Sequence, residues 1–69
     1  MNARGYDVDV QKLSRDLGGG FVAVAPALKG CIGDGETRDE ALRDLLNAMD
    51  CWLAVAARKG LEIPSPTGA

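Results

Sequence analysis

The stretch from Thr37 to Gly60 limits what this chain can fold into more than any other. It reads as one long amphipathic helix. Thr37 precedes the periodic run and Glu40 follows three residues on, a T-x-x-E capping box in which the threonine hydroxyl accepts from the Glu40 amide and the carboxylate reaches back. Asp39 and Glu40 place negative charge where the helix dipole favours it. At the other end Arg58 and Lys59 fill the last turn, Gly60 suits a left-handed C′ position, and Pro64 lies beyond. At ~100° per residue, Leu42, Leu45, Leu46, Met49, Trp52, Leu53 and Ala56 share one side. Asp39, Glu40, Arg43, Asp44, Asn47, Asp50 and Arg58 share the other. Ala41, Ala48 and Val55 flank the first group and widen the apolar arc to roughly half the circumference, more than a surface helix needs.

A helix of this kind needs a sheet beneath it, and the preceding residues supply short strands. Residues 5–13, GYDVDVQKL, alternate: Tyr6, Val8 and Val10 on one face, Asp7, Asp9 and Gln11 on the other. Ser14 to Gly20 is a turn rich in glycine. Residues 20–25 carry FVAVA, apolar on both faces, and read as a central strand joined to the first as a hairpin and ended by Pro26. Residues 30–34, GCIGD, read as a third strand. Leu61-Glu62-Ile63 has room for a brief final strand, followed by an extended tail through Ala69. The expectation is one domain over residues 1–69 of class α+β: a three-stranded antiparallel sheet packed by one helix spanning residues 38–59, in the order β-β-β-α.

Composition excludes much chemistry. The chain has no histidine, which removes the commonest general base and the Ser-His and Cys-His nucleophile pairs. A net charge of −2 gives no basic surface for nucleic acid, and no apolar run approaches membrane-spanning length. The N-terminal residues lack the apolar core of a signal peptide, so a cytoplasmic location is expected. Cys31 and Cys51 fit no CxxC pattern and are expected as free thiols, with Cys51 pointing away from the sheet.

Asp7 and Asp9 share a strand face and Asp34 ends the third strand. Three carboxylates near one sheet edge are what a Mg²⁺-dependent nuclease would require, although alternating acids on a solvated strand are ordinary. Gly18-Gly19-Gly20 precedes a strand rather than a helix, and acids crowd the helix start behind Gly33 and Gly35. Turn and cap chemistry accounts for all five glycines better than a phosphate cradle does. No nucleophile and base can be paired, and no cofactor is expected. The stronger inference is a shortage of cover. One helix shields one sheet face, while Phe21, Ala23 and Ala25 lie on one face of the central strand and Val22 and Val24 on the other. The leftover apolar surface is expected to hold a partner or a second copy, as dimer or tetramer, through Val22, Val24, Ala41, Ala48 and Val55.

The run Gly19 to Gly35, GGFVAVAPALKGCIGDG, resembles the GGYVV-x-PDLPGC-x-x-x-G signature of the HicB-like antitoxins. Thr37 to Leu42 is similar to that family's T-x-EEAL helix start, and Gly60 to Pro66 to its G-x-x-IP-x-P tail. Ala27 stands where the family usually has Asp, and Lys29 where it often has Pro. The resemblance implies a partial RNase H-like fold without nuclease activity. It further implies neutralisation of a small HicA-like mRNA interferase toxin by direct binding, and oligomers. Many members carry a further DNA-binding domain; none is legible in these residues, so direct nucleic-acid binding is not expected. The alternatives are a solitary interaction domain with a non-toxin partner, and the metal-dependent nuclease.

Overall fold

The computed structural model describes residues 2–63. In chain order these form β1 (Asn2–Ala3), β2 (Tyr6–Asp7), β3 (Asp9–Lys12), a 3-10 turn (Arg15–Leu17), β4 (Phe21–Val24), β5 (Ile32–Gly35) and α1 (Arg38–Lys59). Strands β3, β4 and β5 make an antiparallel sheet in that order. Helix α1 lies chiefly along β5, with lesser contact to β4 and least to β3. The α+β arrangement of three strands and one helix is as the residue pattern predicts.

The helix termini follow their residues closely. The Glu40 amide donates to the Thr37 hydroxyl at 3.1 Å. The Glu40 carboxylate reaches one residue further back than the capping box predicts and accepts from the Glu36 amide at 3.2 Å. At the C-terminus Gly60 is left-handed at φ 71° and donates to the Ala57 carbonyl, while the Leu61 amide donates to Ala56 at 2.8 Å. This is the paired-bond Schellman stop. It turns Leu61 back against the helix, and residues 61–63 form no strand, which corrects the expected final one. The expected tail beyond Ile63 lies outside the described residues.

The first strand is divided. Val8 interrupts it, and β2 pairs instead with β1 through a two-residue turn at Arg4 (φ 55°) and Gly5 (φ 84°). Both positive angles belong to a type I′ hairpin. The hairpin is tied to α1 by Arg4, whose guanidinium meets the Asp50 carboxylate at 3.0 Å. The third strand begins at Ile32 rather than Gly30, because Gly30 (φ 81°) serves the turn that carries Leu28 inward.

Gly33 sets the distance between layers. A Cβ at this position would stand 2.7 Å from the Leu45 Cα and 2.8 Å from the Ala41 carbonyl oxygen. The helix backbone rests directly on β5, and only a residue without a side chain permits it. Turn and cap chemistry, expected for Gly33 and Gly35 from their neighbours, is not the role of either, since a Cβ at Gly35 would likewise stand 2.7 Å from the Ala41 nitrogen. Close approach also sets the roll of the helix. Ala41, Leu45, Met49 and Ala56 are buried, while Leu42, Leu46 and Leu53 are half-buried. All of these but Ala56 close on Ala23, Ala25, Leu28, Cys31, Tyr6 and Val8. Each fully buried Leu or Met side chain in such a core contributes roughly 1.5–3 kcal/mol.

Candidate functional site

The strand register decides which side chains α1 leaves uncovered. Ala23 and Gly33 pair beneath the helix, so their neighbours Val22, Val24, Ile32 and Asp34 point to the opposite face. The same parity puts Asp9 and Gln11 there. Two cross-strand rows result: Asp9, Val24 and Ile32, then Gln11, Val22 and Asp34. The outcome is an apolar strip of Val22, Val24 and Ile32 with a carboxylate at each end of its diagonal. Val22 and Val24 are half-buried, and Ile32 is 55% exposed.

A second apolar surface lies around the β5 edge, in an open groove of about 370 Å³ between that edge and the C-terminal half of α1. Ala48, Val55, Cys51, Trp52, Leu61 and Ile32 line it. Ala48 and Val55, two of the flank residues, are therefore brought together with Ile32. Ala41, the third, is not: it is fully buried beneath the Gly33 approach and belongs to the core of the folded chain, because the helix is rolled toward it. Ile32, exposed and common to both surfaces, was missed. Its position at the edge could have been read from the alternation with Gly33 once that strand was placed.

The two sheet edges differ in chemistry. The Ala25 amide donates to the Cys31 carbonyl at 3.3 Å, which fixes Gly33 and Gly35 as the other bonded positions of β5 and turns the backbone groups of Ile32 and Asp34 outward. Asp44 of α1 reaches this edge and accepts the outward Asp34 amide at 3.0 Å. Trp52 donates its indole N–H to the Lys29 carbonyl at 3.0 Å, just before the strand. On the other edge the Leu13 amide donates to Gly20 at 2.8 Å, so Val10 and Lys12 turn their backbone groups away from β4. Among the described residues no strand pairs with them.

The three acids considered for a metal are not gathered. Asp9 and Asp34 stand on opposite edge strands with β4 between them, roughly two strand spacings or ~10 Å apart, and Asp7 belongs to the separate hairpin. Among the described residues no three His, Cys, Asp or Glu side chains are placed to share an ion. Both thiols are free; Cys31 is buried and Cys51 exposed, as its helix position predicts. Burial, with the nearby Cys51 as a smaller contribution, pushes the Cys31 thiol above its ordinary range. Among the described residues no helix is long and apolar enough to cross a membrane.

These features define a small α+β domain with one bare sheet face, an apolar groove and one open edge. The chain is similar to two UPF0150 proteins of Synechocystis sp. (strain ATCC 27184 / PCC 6803 / Kazusa). One is 47% identical over 47 residues, which span 68% of this chain and 64% of that protein. The other is 37% identical over 41 residues, 59% of this chain and 52% of that protein. The matches thus cover less than two thirds of either relative's length. No protein-family model matches the chain, and no solved structure does.

Proposed function

We propose that this chain is a non-enzymatic, HicB-like antitoxin module that neutralises a cognate small mRNA interferase toxin by binding it directly. The observation that carries this reading is the bare sheet face, where Val22, Val24 and Ile32 lie between Asp9 and Asp34. An apolar centre flanked by two acids suits a partner with an apolar contact beside basic residues, such as a protein that binds and cuts RNA. The signature between Gly19 and Gly35 and the β-β-β-α order support the same reading. Asp9 and Gln11 at one margin and Asp34 at the other would steer and orient such a partner, and the valines would supply the desolvated centre.

The test is co-expression with the product of the adjacent reading frame, expected to be small and basic. The pair should co-purify, and the chain should restore growth that the neighbour alone arrests. Val24→Arg combined with Ile32→Arg should weaken capture at least ~30-fold, the scale of losing a central contact, with the melting temperature held within a few degrees. A neighbour that neither arrests growth nor binds, or one captured equally well by the double variant, overturns the reading.

A further inference from the structure

We propose that the open edge of β3 pairs with β3 of a second copy of this chain, joining two sheets into one continuous six-stranded sheet. Three observations carry this inference, and none depends on the antitoxin reading. Val10 and Lys12 present outward N–H and C=O groups that no strand among the described residues takes. The segment holds an unbroken register with β4 and contains no proline. Its charges also suit its own image.

A two-fold axis perpendicular to the sheet permits an antiparallel register centred on Gln11. Val10 then lies opposite the second copy's Lys12, and Lys12 opposite its Val10, so that each pair exchanges both backbone bonds. Gln11 meets Gln11 across the axis on the bare face, where one amide donates and the other accepts. Asp9 faces Leu13. No like charges come opposite one another. The β5 edge is less free to do the same, because Asp44 already occupies the outward Asp34 amide. The β3 register keeps both helices on one side and sets the two Val22, Val24 and Ile32 strips on the other, a doubled contact surface on one plane.

Sedimentation of the purified chain across the micromolar range tests the proposal. The unmodified chain should form a dimer. Gln11→Lys and Gln11→Glu, at an exposed position, should each raise the dissociation constant at least 10-fold while the chain still unfolds cooperatively. Mixing the two variants should restore association, because opposite charges then meet at the axis. Lys12→Pro, which removes an outward N–H and no bond to β4, should also give monomer. A chain that stays monomeric to the highest concentration overturns the proposal. So does a dimer indifferent to both Gln11→Lys and Lys12→Pro, and variants that fail to complement overturn the register.

Discussion

The two margins of this three-stranded sheet are made from similar lengths of chain, yet side chains of the helix reach one and, among the described residues, are not seen to reach the other. Along β5 the helix lies close enough for Asp44 to take the Asp34 amide and for Trp52 to take the Lys29 carbonyl. Along β3 no side chain of α1 is seen to do the same among the described residues, because the helix axis lies over β5. The difference teaches that edge protection here is a by-product of where the helix rests. That resting place is set by Gly33, which lets backbone meet backbone over one strand only. A single helix placed this way guards one edge at the expense of the other.

The comparison can be broken most severely at Gly33. Gly33→Ala should cost about 3 kcal/mol in denaturant unfolding, since the added methyl group meets helix backbone that cannot move aside alone. Gln11→Ala on β3 should stay within about 0.5 kcal/mol. Equal costs would mean that the close approach of the layers does not depend on that glycine. Asp44→Ala comes next, at about 1 kcal/mol for one lost bond to a charged acceptor on an exposed edge. Its sharper readout is hydrogen exchange: protection of the Asp34 amide should fall while that of the Val10 amide, on the other edge, is unchanged. Unaltered protection at Asp34 would show that Asp44 does not seal the edge.

The smallest expected effect concerns pH. Burial raises the Cys31 pKa in the folded state, so folding favours the neutral thiol. The resulting stability is fully present below the ordinary thiol range near 8.5 and declines as pH rises through and beyond it. A plot of unfolding free energy against pH should bend downward on the alkaline side, and Cys31→Ala should remove that bend whatever its effect on the absolute value. An identical bend in the variant would assign the titration elsewhere.

How much of this was legible in the residues follows from which physics is local. The helix and its stops were readable because Thr37, Glu40, Gly60 and the 3.6-residue stripe act within one element. The β4 strand and its two apolar faces were readable for the same reason, while the choice of the Ala23 face as the hidden one depended on where the helix lies. The N-terminal hairpin was not, since Arg4-Gly5 lacks the Asn or Asp that usually announces a type I′ turn. The roll of α1 was also out of reach: periodicity gives the width of the apolar arc, but its centre was chosen by Gly33 in another element. Ala41 went from flank to core by that choice, while Ala48 and Val55 stayed at the surface. Asp44 looked like one more solvated acid, and its bond to Asp34 depends on a side chain reaching past a strand edge.

Trp52 carries a practical consequence. It is the chain's sole tryptophan, half-buried beside Cys51, Val55 and Leu61 and hydrogen-bonded to the Lys29 carbonyl. Excited at the long-wavelength edge where Tyr6 does not absorb, this protein therefore emits from one spot. Whatever settles between that indole and the β5 margin should shift its colour, so the molecule carries a built-in optical gauge that needs no attached dye.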